Sequence, residues 1–558
     1  MSRVLQATMA CLLAGLVAAT VGAVGESPLI EAVKAGNLAA VRALVKSGSE
    51  VNARSGDGSS PLLWAAHGSN VEIARALVAG GATVDAANDY GITPLLQASR
   101  TGDAPMIEVL LQAGANPALA HPEGETPLMA AARSGSMPAV RLLLARGANV
   151  NAAESFQKTT ALMWAAAEGH AEVVSLLLEA GADPNVQARV TSLTDRHNAD
   201  HPTGGFTALM LAARNGDEKT VRRLVAGGAN VNLTNGDDAS AAMIAIYNDR
   251  FDVAATLLEL GSDANDGSLY VAVEMRDATT DQFAFDGSRR RPNHPNTRTA
   301  LDLMQLLLER GADPNKTFAG QFHSTSMPNS DRFDNTPFYR AAIAADVEAL
   351  KVMVAHGASV DQAPPVPATP VPETKPEEEP PAGRGRVNPN AGRPAAMVAM
   401  TGGRGPAMTG GPAYIRDGAA PYREPGSRKP EDALAVLLTA GANPNATAPD
   451  GNSLLHQAAR AGNLEMIRSL AGAKVDFTLK NKDGFTALDV AEGKQPAGGA
   501  GRRGGGPPGG GRGRGRGASQ QDVAKLLREL MGLPPAPPPS EAPPATTDPS
   551  STAAGGAQ

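Results

Sequence analysis

Two histidines in one polar stretch have the residue types that metal binding needs. His197 and His201 are four residues apart, and Asp195 precedes them. Imidazole nitrogens and carboxylate oxygens are common ligands of zinc and related metals, and two histidines at this spacing share one face of a helix. Nothing in the surrounding residues indicates a helix, so the pattern favours a solvated polar loop. A metal-binding loop stays as the alternative.

Other catalytic patterns are absent from the sequence. It has no HExxH motif, no Walker loop, no G-x-S-x-G elbow and no dinucleotide-binding glycine pattern after a strand. The one cysteine, Cys11, lies in the N-terminal leader described below, so the mature chain would have no disulfide, thiolate nucleophile or Cys-ligated metal. We therefore expect no cofactor and no enzymatic activity. An envelope enzyme or metal-dependent factor that uses the insertions is the alternative.

An arginine-glycine run near the C-terminus could contact phosphates. It contains Arg502, Arg503, Arg512, Arg514 and Arg516 and has no interleaved aromatic residue for base stacking. The whole chain is mildly acidic, with a net charge of −7 over 558 residues. These features favour a flexible basic spacer, and we expect no specific nucleic-acid partner. A polyanion or RNA binder that uses this run is the alternative.

The first residues have the pattern of a secretory signal peptide. Arg3 precedes an apolar core from Met9 to Ala19, and small residues follow at Val21 to Ala23. We expect residues 1–23 to be removed, no transmembrane segment to remain, and the protein to be exported to the periplasm or cell surface of a bacterium. Because the apolar run approaches the ~20 residues that span a bilayer, an uncleaved membrane anchor is the alternative.

Most of the remaining chain repeats itself. Pro94 in Thr-Pro-Leu returns as Pro127 one period of 33 residues later, and related segments are centred on Leu62, Leu162 and Leu209. In each unit, Thr or Ser stands at a helix N-cap, two short apolar helices follow, and a glycine ends the second. Gly147 and Gly181 are predicted to adopt the left-handed conformation there. Apolar residues make up 42% but aromatic residues 3%, as expected for close stacking of small side chains.

The period and the Thr-Pro-Leu and Gly-Ala-Asx segments resemble the ankyrin repeat. The resemblance implies an all-α fold, an ankyrin-repeat α-solenoid of stacked helix-turn-helix units with β-turn tips, interrupted here by disordered insertions. A single unit cannot bury its apolar face, so its stability depends on its neighbours. In this family, partners dock on the concave face formed by the turn tips and the ends of the first helices. The implied function is a scaffold that binds another protein.

Changes in composition divide the chain, which holds roughly eleven or twelve units. The first repeat block is predicted at 24–361, with insertions at about 189–203, 279–298 and 316–333. A Pro/Gly-rich segment at 362–430 is predicted to be disordered, because it has too few apolar residues to offset the entropy of ordering. We expect it to separate the first block from the second. The remaining parts are the second repeat block at 431–493, a Gly/Arg-rich insert at 494–519, a capping helix at 520–531 and a disordered tail at 532–558.

Two sets of residues are candidates for binding the partner. One recurs at the end of the first helix and forms a discontinuous basic stripe that would select an acidic segment: Lys34, His67, Arg100, Arg133, Arg214 and Arg460. The alternative is that these cations only complement the helix dipole. The second set lies at the turn tips: Tyr90, Ile92, Glu123, Glu125, Phe156 and Lys158. Trp64 and Trp164, at equivalent repeat positions, are predicted to be packing residues.

Overall fold

The structure is a computed structural model that describes residues 27–191, 203–277, 296–318, 335–365, 390–401, 426–494 and 518–535. The predicted signal peptide, the pair His197 and His201, and the arginine-glycine run lie outside these residues. Among the described residues, no helix combines the length and apolar character that crossing a membrane requires.

The described chain forms twelve pairs of antiparallel helices. The first six pairs are α1 Pro28–Lys34 and α2 Leu38–Lys46; α3 Pro61–His67 and α4 Val71–Ala79; α5 Pro94–Arg100 and α6 Ala104–Gln112; α7 Pro127–Ser134 and α8 Met137–Ala145; α9 Ala161–Ala167 and α10 Ala171–Glu179; α11 Ala208–Asn215 and α12 Glu218–Ala226. The other six are α13 Ala241–Tyr247 and α14 Phe251–Glu259; α15 Ser268–Asp277 and α16 Ala300–Glu309; α17 Pro337–Ile343 and α18 Val347–Ala355; α19 Ala395–Ala399 and α20 Pro430–Thr439; α21 Leu454–Ala461 and α22 Leu464–Gly472; α23 Ala487–Ala491 and α24 Gln520–Leu530.

One unit shows why the sequence forms this pair. The Thr126 hydroxyl accepts a hydrogen bond from the Met129 N–H at 3.2 Å, and Pro127 follows in the first turn of α7. Gly135 ends that helix at φ 74°. Gly147 follows the C-cap of the second helix, α8, and has φ 80°. Gly181 has φ 88°, so the predicted left-handed conformation is confirmed at both consensus glycines.

The units stack through small side chains. Each first helix contacts the first helices of the neighbouring pairs, and each second helix contacts the neighbouring second helices. Ala131 and Ala132 are fully buried, and their methyl groups allow the close approach of adjacent helices. The buried residues form one continuous apolar cluster from Leu29 to Leu527. The described chain is therefore an α-solenoid, in agreement with the prediction.

The prediction of a single disordered segment at 362–430 is wrong for residues 390–401. Helix α19 lies within this stretch, and its Met397 and Val398 are 1% and 3% exposed. The Ala395 N–H donates to the Gln362 carbonyl at 2.8 Å, which fixes the start of the helix against the preceding repeat. Helix α19 contacts α17, α20 and α21, so it is the first helix of a repeat whose second helix is α20. Stacking therefore passes from the first predicted block into the second without a break.

The C-terminal end of the 362–430 segment is anchored by buried ion pairs. Arg276 Nε lies 2.8 Å from Asp346 Oδ2, and Arg428 Nη2 lies 2.7 Å from the same oxygen. Arg276 and Asp346 are each 1% exposed, and the Arg428 side chain is 9% exposed. The Val347 N–H donates to the Ser427 carbonyl at 3.2 Å. The chain that returns to α20 is therefore bound to α15 and α18 through one shared carboxylate.

Two other predicted insertions have ordered ends. Strand β1, Val190–Thr191, pairs antiparallel with β2, Thr203–Gly204, at the edges of the first insertion. At the start of the third, Phe318 stacks on Tyr270 with ring centroids 4.9 Å apart. The edges of these insertions therefore extend the turn side of the solenoid.

Candidate protein-binding surface

Three successive turn tips are held by the same type of hydrogen bond, although the side chains that accept it differ. In each tip, a side chain accepts a hydrogen bond from the backbone N–H two residues later. The pairs are Asn88 with Tyr90 at 3.1 Å, His121 with Glu123 at 3.2 Å, and Glu154 with Phe156 at 2.6 Å. Because successive pairs are 33 residues apart, Tyr90, Glu123 and Phe156 occupy one repeat position. We call these three residues the tip row.

The third tip is held by a charged group. Although burial opposes ionisation of Glu154, hydrogen bonds from the backbone N–H groups of Thr159, Phe156 and Gln157 lower the pKa of its carboxyl. The carboxylate is therefore ionised at neutral pH and fixes the tip that carries Phe156. Lys158 in this tip adopts φ 61°, where the two preceding tips have glycine. The rigid turn holds its aromatic residue outward.

The side chains of the tip row are highly exposed. Tyr90 and Phe156 are 65% and 67% exposed, more than any other large apolar side chain among the described residues. The Glu123 side chain between them is 85% exposed. None of these side chains contributes to the core, so packing does not explain two aromatic residues here. Exposed aromatic residues beside a carboxylate are typical of a recognition surface.

Backbone hydrogen bonds join some neighbouring tips. The Asp89 N–H donates to the Asp57 carbonyl at 3.1 Å, and the Ser155 N–H donates to the Glu123 carbonyl at 2.9 Å. Pro122 occupies the corresponding donor position in the tip between them, and proline has no N–H. The tips are therefore tied to each other in pairs, and Asp57 extends the tip row by one position toward the N-terminus.

The predicted basic residues form a second row, and Lys34 and Arg133 each reach a tryptophan of the next repeat. Lys34 Nζ lies 4.0 Å from the ring centroid of Trp64, and the Arg133 guanidinium lies 4.7 Å from that of Trp164. Both contacts are cation–π interactions, and both tryptophans are partly buried. The tryptophans therefore support the helix-end cations in addition to packing. We call Lys34, His67, Arg100, Arg133 and Arg214 the helix-end row.

Much of the charge in the helix-end row is balanced within the chain. Arg100 Nε donates to Glu125 Oε2 at 3.1 Å, and Arg133 Nε lies 3.7 Å from Glu168 Oε1. His67 Nδ1 lies 3.3 Å from the Gln97 side-chain amide. Arg214 lies in the last turn of α11 and is partly buried. An acidic partner would therefore have to displace carboxylates of this chain, and the row is less basic than the sequence indicates.

His456, in a later repeat, has a structural role. His456 is 1% exposed; its Nδ1 lies 2.7 Å from the Ser453 hydroxyl and its Nε2 lies 2.9 Å from the Phe485 carbonyl. Burial lowers the pKa of His456, so the neutral ring holds these two segments together. Within the described ranges, no three His, Cys, Asp or Glu side chains group as metal ligands would.

A cleft of about 1250 Å³ lies at the C-terminal end of the solenoid. Arg460, Lys494, Lys525 and Arg528 line it, together with Glu492 and other residues. Glu492 accepts a hydrogen bond from Arg528 Nε at 2.7 Å and lies 2.8 Å from Lys494 Nζ. Glu492 thus pairs with two of the four cations, and with Glu529 also in the lining the cleft has a net charge of +2.

The fold defines the class of the protein: a helical-repeat solenoid whose turns carry two exposed aromatic residues. The family profile described as "Ankyrin repeats (3 copies)" matches residues 29–121, 114–188, 190–267 and 427–496, more than half of the chain. The chain therefore belongs to the ankyrin-repeat family. Proteins of this family bind other proteins, so protein binding is its general role.

Individual relatives match short parts of the chain. It is similar to the Notch-regulated ankyrin repeat-containing protein of Xenopus tropicalis, with 32% identity over 69 residues, which is 12% of this chain and 60% of the relative. The human protein of that name shows 41% identity over 49 residues, covering 9% and 43%. The crystal structure of the human ASB11 ankyrin repeat domain shares 29% identity and a TM-score of 0.36, covering 42% of this chain and 98% of that one. The chain thus spans at most 60% of these two curated relatives.

Proposed function

We propose that this protein is an exported scaffold that binds another protein through its concave side, with no catalysis of its own. The observation that carries the proposal is the exposure of Tyr90 and Phe156 on turns that hydrogen bonds hold in place. Aromatic side chains supply much of the binding energy at protein interfaces because they bury a large area at a small cost in conformational entropy. Two such anchors on rigid turns favour recognition of a partner.

The helix-end row has a supporting role in this proposal. Arg100 and Arg133 already pair with Glu125 and Glu168, and these pairs, which are partly exposed, can rearrange at little cost. An acidic segment of the partner would be attracted to this row during approach, since charges at the edge of an interface act mainly on the association rate. The tip row would then determine how long the complex lasts.

These separate roles of the tip row and the helix-end row can be tested by measuring how the native partner binds the wild type and three variants of the mature chain. The partner is first captured from the native source and identified, and its association and dissociation rates are then measured. Y90S/F156S should speed dissociation at least tenfold, because it removes both anchors. R100E/R133E/R214E should slow association and weaken its salt dependence. The matched control is L530S/L533S, which removes two other partly exposed apolar side chains and should change neither rate.

The proposal for the tip row is wrong if Y90S/F156S binds as tightly as the wild type. If the charge-reversed protein alone loses binding, the helix-end row carries recognition. Far-UV circular dichroism must show unchanged helix content for all forms, so that a loss of binding does not reflect unfolding.

Export is the other part of the proposal. It rests on Arg3, the apolar run and the small residues near Ala23. Cell fractionation followed by N-terminal sequencing should find the protein outside the cytoplasm, starting near Val24. Intact residues 1–23 in the membrane fraction would favour the anchored form, and an intact chain in the cytoplasm would exclude export.

A further inference from the structure

The spacing of the tip row suggests what conformation the partner has, and this inference rests on the proposed protein-binding function. Tyr90, Glu123 and Phe156 lie 33 residues apart in three consecutive repeats, and the same type of hydrogen bond holds each turn, although the third turn is one residue longer. The first helices of these repeats are in direct contact. Packed helices lie about 8–10 Å apart, so successive tips should be separated by about the same distance.

A polyproline II helix has the matching period. It has three residues per turn and rises about 3.1 Å per residue, so every third side chain faces the same way, about 9 Å farther along. In a β-strand the repeat on one face is about 6.6 Å, and one turn of an α-helix rises 5.4 Å. Only the polyproline II helix offers one side chain to each of the three tips in turn.

The side chains of the tip row fit such a segment. Aromatic rings are the surfaces on which proline-rich segments dock in several recognition domains. Tyr90 and Phe156 would each contact one ring of the ligand, and the Tyr90 hydroxyl could donate to a ligand carbonyl, since this helix has no internal hydrogen bonds. Glu123, which lies between them and is 85% exposed, would face the ligand residue midway between the two prolines. A basic residue there would complete an ion pair.

We propose that the tip row binds a proline-rich segment of another protein, with the pattern Pro-x-x-Lys/Arg-x-x-Pro, in the polyproline II conformation. The tips around the row are net acidic, which strengthens the preference for a basic ligand: Asp57, Asp89 and Glu154 outnumber Lys158, and hydrogen bonds lower the pKa of the Asp57 and Glu154 carboxyls. The proline-rich segment of this chain, residues 364–381, contains four glutamates and one lysine. Its charge opposes binding to this row, so the ligand is assigned to a different protein.

Synthetic peptides and the full mature chain test the proposal by fluorescence anisotropy. The probe peptide has two prolines six residues apart and a lysine midway. The first matched peptide has glutamate in place of the lysine, the second has one residue inserted between the lysine and the second proline, and the third is residues 364–381 of this chain. Each is titrated with the wild type, Y90S/F156S and E123K.

The wild type should bind the lysine peptide about two- to fivefold more tightly than the glutamate peptide, the effect of one exposed ion pair, and E123K should reverse this preference. Y90S/F156S should weaken binding at least tenfold, and the inserted residue should weaken it by a similar factor because it breaks the register. If the inserted peptide binds as well as the probe, or the charge preference survives E123K, the proposal is wrong.

The outcomes separate this inference from the proposed function. If Y90S/F156S loses the native partner but the wild type binds no peptide of the set, the tips bind a different type of surface and only the polyproline inference fails. If Y90S/F156S keeps both the native partner and the probe peptide, both proposals fail. If residues 364–381 bind best, the row has an internal ligand, which contradicts the assignment to another protein.

Discussion

Alanine at Gly124 and alanine at Gly147 should have different effects, although both glycines are left-handed. Their φ angles are 94° and 80°, a region that alanine enters at a cost of about 1–2 kcal/mol. A Cβ at Gly124 would lie 2.6 Å from the Ser155 backbone nitrogen and 3.0 Å from Glu154 Cα. A Cβ at Gly147 would meet nothing within 4 Å. Gly147→Ala is therefore the matched control for conformational strain.

Gly124→Ala should reduce stability more than Gly147→Ala because the backbone of the next tip would have to move. The obstructing atoms belong to the backbone of the next tip, so no side-chain rotation relieves the contact. Separating the tips would weaken the hydrogen bond from the Ser155 N–H to the Glu123 carbonyl, now 2.9 Å, which contributes about 0.5–1.5 kcal/mol. We expect Gly147→Ala to lower the free energy of unfolding by about 1–2 kcal/mol and Gly124→Ala by about 1.5–3.5 kcal/mol.

Urea denaturation followed by circular dichroism measures both losses, and hydrogen exchange at the Ser155 amide locates the second. Gly124→Ala should accelerate that exchange and reduce binding of the native partner, since it displaces Glu123 from the tip row. Gly147→Ala should change neither property. Equal losses of stability in the two variants, with unchanged exchange at Ser155, would refute the close contact between tips on which the binding surface depends.

Two further predictions concern charged groups. Asp346→Asn keeps the N-cap acceptor of α18 but removes the charge that buried Arg276 and Arg428 share, so urea denaturation should show a loss of about 3–5 kcal/mol. The exposed Glu348→Gln, the control, should cost under about 1 kcal/mol, and equal effects would contradict the buried network. Although burial opposes ionisation of Asp489, hydrogen bonds from Thr486 and a lysine lower its pKa to about 2. The stability that ionised Asp489 adds is present above its unfolded pKa near 3.8 and is lost as the pH falls toward 2. Asp489→Asn should therefore make the midpoint of unfolding depend less on pH between pH 5 and 2.5. An unchanged pH dependence would refute this role.

Local signals in the sequence predict most of the fold. The recurrence of Thr-Pro-Leu fixes the start of each first helix because the hydroxyl and the proline act within one turn, as at Thr126 and Pro127. Helix α19 was missed because Pro394 to Met400 stands among glycines and prolines, without the threonine cap. Its helical state depends on burial against α17 and α21, which a local pattern does not contain.

The candidate site was predictable in part. The 33-residue period places Tyr90 and Phe156 in the turns between repeats, so both residues could be predicted from the sequence as exposed. The pairing of Arg100 with Glu125 and of Arg133 with Glu168 depends on how one repeat is placed on the next, and no local pattern predicts it. An available signal was Trp164, 31 residues after Arg133, a distance that places the ring beside the preceding helix end.

The hydrogen bond that the three tips share is not evident from the sequence, because the residues that accept it differ chemically. Asn88, His121 and Glu154 differ in size and charge, yet each accepts a hydrogen bond from the N–H two residues later. A search for identical residues at one repeat position does not detect a shared acceptor. Comparing positions by hydrogen-bonding capacity would have found it.

Site-specific photo-crosslinking tests the central claim, that the turn tips contact a protein partner, most directly. A benzophenone amino acid replaces Tyr90 or Phe156 in the mature chain, and in the control it replaces Glu108, an exposed residue on second helix α6. After irradiation in the native source, both tip positions should give a covalent adduct with the same protein, and position 108 should give none. An adduct from position 108 alone, or no adduct from either tip, would contradict binding through the turn tips.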